Sequence, residues 1–391
     1  MNKINKNIYF FWILKIIFDM FYQIKILIII NFIFLLILLI HSLFVKKIVV
    51  SKNDIPIFLL FLLFSISFLK TPSQYTDYLK IISSFFIYFL GRMYYKEFES
   101  ANKSLYISLF IAFFINLFIC IIGKGTIIWG NAKTLRGVYF FKTDFAVMLL
   151  YFLVIMLYNS KKNVLNYFVV ISTIFLIFLS NARIAYLCTI LILYIFYLYK
   201  KKAKSIINFK TFIIIALFGL STVYLLKLLS QTEIFINNNF IGIKFNSLSD
   251  LFNGSNTQGR NVIWQLLLLK FNSSGFLTRI FGAGMDFNSN YGLSGLNEHS
   301  TYIKVLLNTG YFGLLVFIIF ILKTLLIIKK IKYRKLSFIT VSVFIVYLII
   351  GISVPTIMYT NCSWIPMFLI GMCISHYNSD NLFIDGQYEN K

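Results

Sequence analysis

The sequence predicts an all-α, polytopic membrane protein of about twelve spans, on three observations. Charged residues make up 13% of the 391-residue chain, about half the share usual in a soluble domain. Apolar runs of about 18 or more residues recur along it, each long enough to cross a hydrocarbon core about 30 Å thick. The runs do not alternate polar and apolar residues, as 26–40 illustrates. Helices rather than a β-barrel would then satisfy the backbone inside a bilayer.

In chain order the apolar runs place spans at 8–22, 26–45, 55–70, 74–91, 104–122, 138–158, 164–179, 184–199, 211–229, 299–328, 336–353 and 362–376. The first is short and holds Lys15 and Asp19, so an interfacial helix is its alternative. One long polar loop, 230–298, interrupts the series, and the tail 377–391 is short and polar. The N-terminal region lacks a cleavable-signal pattern. No internal repeat divides the chain, which reads as one membrane domain over 1–391 and gives no support to a transporter built from two similar halves.

Charge orients the bundle. With the N-terminus inside, the inside loops are 1–7, 46–54, 92–103, 159–163, 200–210 and 329–335, and their 51 residues carry 20 Lys or Arg. The outside loops are 23–25, 71–73, 123–137, 180–183, 230–298 and 354–361, and their 102 residues carry 9. This is the asymmetry of the positive-inside rule. It puts both termini, with the tail 377–391, in the cytoplasm and the loop 230–298 outside the cytoplasmic (inner) membrane. A net charge of +24 invites a nucleic-acid reading, but its confinement to short clusters between spans argues for topology and against a nucleic-acid partner. Cys120, Cys188, Cys362 and Cys373 fall in or beside apolar runs with no CxxC spacing, and read as free thiols.

Arginine is scarce, at six residues against 31 lysines. Arg92 and Arg334 lie in inside clusters and follow from topology. Arg136, Arg183, Arg260 and Arg279 lie outside, against the rule. A guanidinium is a planar fork of donors suited to phosphate oxygens, so these four are candidates for binding a diphosphate. Anchoring to lipid headgroups, or salt bridges within loops, is the alternative. Arg183 follows the tight polar break Ser180-Asn181-Ala182. Arg260 opens a stretch in which Ile263, Leu266, Leu267 and Lys270 keep helical spacing, as an amphipathic helix on the outer leaflet would, with Trp264 at headgroup depth. Gly282, Gly284, Gly292 and Gly295 allow close turns.

His299 is the one outside imidazole, beside Glu298 at the head of a span. It could take a proton from a sugar hydroxyl, hold that hydroxyl, or cap the helix with Asn297 and Ser300. Gly310 and Gly313 share a face of the same span and would let a neighbouring helix pack close. Asp77 with Lys80, and Lys142 with Asp144, read as local ion pairs, with Asp144 or Asp286 as alternative acids or bases. No DxD or HExxH motif is present, so the expected mechanism uses no metal and no cofactor.

Four stretches in order carry a resemblance: Ser180-Asn181-Ala182-Arg183, Arg260-Asn261-Val262-Ile263-Trp264, Phe281-Gly282-Ala283-Gly284, and His299-Ser300-x9-Gly310-x-x-Gly313. Over residues 170 to 330 the chain resembles the bacterial O-antigen polymerase and O-antigen ligase superfamily. In that family Ser and Arg are adjacent, and Asn is common after the His. The resemblance implies a membrane glycosyltransferase with a GT-C-type helical fold. It would act at the outer, periplasmic face on undecaprenyl-diphosphate-linked oligosaccharide. An acceptor hydroxyl attacks the donor's anomeric carbon, and undecaprenyl diphosphate leaves. By that resemblance Arg183 and Arg260 would bind the diphosphate and His299 would sit at the acceptor or diphosphate site. Arg136 and Arg279 are further candidates for the diphosphate, and Glu298, beside His299, is a further catalytic candidate. Membrane lipid, a flippase and a chain-length regulator are the implied partners. The expected activity is a polysaccharide-repeat-unit polymerase. The alternatives are an O-antigen ligase passing the glycan to a lipid core, and a lipid-linked oligosaccharide flippase.

Overall fold

The computed structural model describes residues 6–21, 24–46, 50–129, 132–159, 164–201, 260–293 and 296–386. The helices among them are α1 Lys6–Met20, α2 Lys25–Val45, α3 Ile55–Lys70, α4 Tyr75–Met93, α5 Phe98–Ile121, α6 Lys142–Asn159, α7 Val164–Leu179, α8 Arg183–Lys200, α9 Arg260–Asn272, α10 Phe276–Phe281, α11 Phe287–Asn290, α12 Thr301–Lys330, α13 Arg334–Ile350 and α14 Thr360–Gly386. They fall on eleven of the twelve expected spans, and the remaining one, 211–229, lies outside the described residues. Among the described residues five helices, α2, α5, α6, α8 and α12, are long and apolar enough to cross a membrane, and α3 and α7 are shorter apolar helices. The expected loop 123–137 instead holds a β-hairpin. Its strands, β1 Thr126–Trp129 and β2 Ala132–Leu135, pair antiparallel with Thr126 opposite Leu135. Cys188, Cys362 and Cys373 are buried free thiols, and Cys120 is a half-buried one.

The chain forms two compact units. The first comprises Met1–Val45, Tyr94–Phe245 and Ile331–Val346. In it α1 packs on α5, and α6 packs against α5, α7 and α8. Every residue of α6 from Asp144 to Leu157 is buried, as expected of a helix apolar on all sides. α1 buries Ile8, Phe11, Trp12, Ile16 and Met20. Its Lys15 and Asp19 are buried too and form an ion pair one turn apart, which cancels the charge that weakens this stretch as an apolar run.

The second unit comprises Lys46–Met93, Asn246–Lys330 and Tyr347–Lys391. Its tightest seam joins α4 to α14. A Cβ on Gly91 would stand 2.0 Å from the Phe368 carbonyl oxygen, and one on Gly371 2.1 Å from that of Tyr88. Small residues thus bring the two backbones together, as at membrane helix interfaces. Ser84 donates to Ser363 (2.7 Å) and the Trp364 indole to Ser83 (2.9 Å) across the seam. Arg92 is more than a topological charge. It is buried, paired with Asp54 at 3.1 Å and bonded to Ser375 at 2.9 Å.

Within each unit, segments that the charge pattern places on one side meet at one end. In the second, Asp54 meets Arg92 and Asn53 meets Asn378, whereas Thr71 accepts from the Met285 amide at 2.7 Å. In the first, Glu99 accepts from Tyr333 (2.5 Å) and Lys335 (3.4 Å) at one end, and Lys142 donates to the Asn181 carbonyl (3.2 Å) at the other.

Candidate functional site

The second unit gathers three of the six candidate residues around the head of α12. α9 begins at Arg260, and its residues Leu267 and Phe271 are fully buried against Phe287, Leu306 and Leu307. Ile263 packs on the same cluster, so the buried stripe runs at i, i+4, i+8. Trp264 is held by protein rather than by headgroups alone: its indole donates to the Glu298 carbonyl at 2.6 Å. That bond ties the N-terminal part of α9, one turn past Arg260, to the residue before His299.

His299 itself has a left-handed backbone, φ +46°. Histidine visits this region more often than most residues, but the conformation is strained and needs support. Support comes from both sides. The Asn297 side chain accepts the His299 amide at 3.1 Å. After it, the Thr301 amide donates to the Gly351 carbonyl at 2.7 Å, and the Thr301 hydroxyl meets that of Thr356 at 2.8 Å. The helix start is therefore held by the Asn297 side chain and by Thr301, and the imidazole is half-buried. Burial first, and then the charge of Arg260, hold its pKa below 6.5, while Glu298 acts the other way. Arg260 is close enough to act on the imidazole, and burial lowers its own pKa.

Glu298 is buried, and its Oε1 accepts from Lys304 at 3.1 Å and Asn288 at 3.4 Å. Lys304 was not a candidate from the sequence. Its signal is the spacing of Thr301, Lys304 and Asn308, a polar face on α12 that is buried throughout. Arg279 sits on α10, and its Nε is buried without a hydrogen-bond partner. Asp286 precedes α11 and makes no side-chain cap to it.

The first unit holds the other two arginines. The Ser180-Asn181-Ala182 break is a turn with Asn181 at φ +49°, and α8 starts at Arg183. Lys142 binds the Asn181 carbonyl from the head of α6, and the Tyr186 hydroxyl donates to Phe178 at 2.9 Å. Arg136 follows β2. It donates to the Phe140 carbonyl at 3.3 Å through Nη1, and its Nε is buried without a hydrogen-bond partner. Asp144 is buried at the head of α6. Asp77 and Lys80 pair at 3.2 Å, as their spacing predicts.

No protein-family model and no curated protein matches the chain. The chemistry therefore rests on its own residues. A guanidinium near an imidazole whose pKa is held down, at the head of a membrane-length helix, is a pair that can hold an anionic group and accept a proton next to it. Among the described residues no group of three His, Cys, Asp or Glu side chains is placed to hold a metal ion.

Proposed function

We propose that this protein is a membrane glycosyltransferase that polymerises repeat units of a surface polysaccharide from undecaprenyl-diphosphate-linked donors. The observation that carries the reading is the Trp264–Glu298 bond, which fastens the helix that starts at Arg260 to the residue before His299. An acceptor hydroxyl forms the new bond to the donor's anomeric carbon, and its proton passes to the His299 imidazole. The anomeric carbon–oxygen bond to diphosphate breaks, and undecaprenyl diphosphate leaves with the electron pair. Arg260 stabilises the charge on that leaving group, which is where electrostatic catalysis contributes most. A bound diphosphate also offsets the effect of Arg260 on the imidazole, so His299 becomes a better base when the donor is seated. Arg279, in the same unit as Arg260, is the further candidate for binding the diphosphate. The reading includes twelve spans in a GT-C-like bundle in the cytoplasmic membrane, with His299 facing outward.

The test is chain growth by purified protein in vesicles supplied with the lipid-diphosphate-linked repeat unit. Wild type is expected to build a ladder of products, including in EDTA. Arg260→Ala and His299→Ala should each reduce it severely, to a small residual rate, while the protein still accumulates in the membrane. Transfer only to a lipid-core acceptor identifies a ligase, and no transfer to either acceptor overturns the reading.

A further inference from the structure

We propose that Lys304 is a positioning residue: its buried ion pair with Glu298 fixes the backbone that aims the His299 imidazole, and Glu298 is not itself the proton acceptor. The consequence for turnover rests on the glycosyl-transfer reading above, whereas the positioning rests on geometry alone. Glu298 is 5% exposed and Lys304 7%, so both charges are withdrawn from water and each needs the other. Glu298 is fastened to three helices. Its Oε1 accepts from Lys304 on α12 and Asn288 on α11, and its carbonyl accepts from Trp264 on α9. The very next residue is His299 with its left-handed backbone. A strained residue keeps its shape only when its neighbours over-determine it, and here the neighbour is held at three points. The Trp264 bond further means that Glu298 sets the place of Arg260's helix relative to the imidazole. An Oε1 already taken by a lysine and an amide is arranged for anchoring.

The experiment follows the imidazole directly and measures turnover beside it. The chain has three histidines, His41, His299 and His376. Ring-labelled histidine therefore gives few NMR signals from purified protein in bilayers, and His299→Gln identifies the relevant one. Lys304→Met should shift the His299 signal and lower kcat by on the order of 10²-fold, as a misplaced catalytic group does. The KM for the lipid-linked donor should stay within about twofold, because the donor's own contacts are kept. Lys304→Arg restores a cation and should return both readouts towards wild type. Glu298→Gln should match Lys304→Met, and the double variant should be no worse than either single one. An unchanged ring signal in Lys304→Met confines the pair to a structural role and overturns the proposal. So does a dead Glu298→Gln beside an active Lys304→Met, which makes Glu298 the base. Should Lys304→Met fail to accumulate, the double variant, with no buried charge left over, decides by the same ring signal. If wild type transfers no glycan, the functional reading falls while the ring signal still tests the positioning.

Discussion

The backbone of Gly310 lies directly against that of Gly282. A Cβ on Gly310 would stand 2.6 Å from the Gly282 nitrogen and 2.1 Å from the Ile280 carbonyl oxygen, and one on Gly282 2.0 Å from the Asn308 carbonyl oxygen. Both have left-handed φ, +73° and +79°. Gly310 breaks the helical path of α12, and beside the break the Leu307 carbonyl accepts the Ala283 amide at 2.9 Å. The contact joins the glycine-rich stretch after α10 to the helix that begins just past His299.

Gly310→Ala should therefore destabilise the protein by roughly 3 kcal/mol or more, from a left-handed alanine together with a backbone collision. Gly313 is different, because its nearest neighbour is the side chain of Thr309 on the same helix. Gly313→Ala displaces that hydroxyl from the Val305 carbonyl and should cost about 1 kcal/mol. Thermal unfolding in detergent compares the two, and equal losses would rule out this assignment of the kink.

The buried stripe of α9 makes a second contrast. Leu267→Ala and Phe271→Ala each remove a fully buried side chain and should cost about 2–5 kcal/mol. Leu269, two residues from Leu267, is 68% exposed, and Leu269→Ala should change stability by no more than about 0.5 kcal/mol. Denaturant titration of the three variants checks the order.

Burial, and after it the charge of Arg260, lowers the pKa of His299, and the sign of the pH effect follows. An imidazole that must accept a proton loses activity as pH falls through its pKa. In wild type that acid limb lies below pH 6.5. Arg260→Met removes the lowering charge and should move the limb of residual activity to higher pH. The same shift bears on stability. A histidine held below its unfolded pKa destabilises the native state as pH falls below 6.5, and the effect should be smaller in Arg260→Met. A pH–rate profile and melts at pH 5 and pH 7 measure both, and an unmoved limb separates the two residues.

Much of the helix framework was legible because apolar runs of membrane length are unambiguous and the basic clusters mark their ends. The start of α9 at Arg260 and the ion pair of Asp77 with Lys80 were legible for the same reason, since both are local. Lys304 was not, because its partner Glu298 lies across a helix start and a backbone reversal that no periodicity reports. Arg92 was read from its place in a basic cluster, whereas Asp54 reaches it from a distant part of the chain. The hairpin was available and missed. Thr126–Trp129 and Ala132–Leu135 flank Gly130-Asn131, a two-residue hairpin signal that a division of the chain into apolar runs and loops does not use. The Gly310–Gly282 contact depends on two positive φ angles meeting in space, and spacing alone suggested close helix packing instead.

The outward face of α9 and α10 gives the last prediction. Val262, Leu266 and Leu269 form one exposed stripe on α9, and Phe276 (66%) and Leu277 (69%) extend it on α10. Phe281 then meets Phe312 of α12 with ring centroids 6.2 Å apart. From Phe312 the exposed apolar face continues along α12 through Leu315, Ile319, Leu322 and Leu326. α12 is long and apolar enough to cross a membrane, and an exposed apolar face on such a helix suits hydrocarbon. A stripe continuous with it should dip into the same leaflet, as an interfacial helix does. A nitroxide at Leu277→Cys in a Cys120→Ser background should collide with oxygen more than with a water-soluble nickel chelate in vesicles. A nitroxide at the exposed, polar Ser289 should show the reverse. A label at position 277 that favours the chelate would put α10 in water. One shielded from both quenchers would mean that protein covers the stripe.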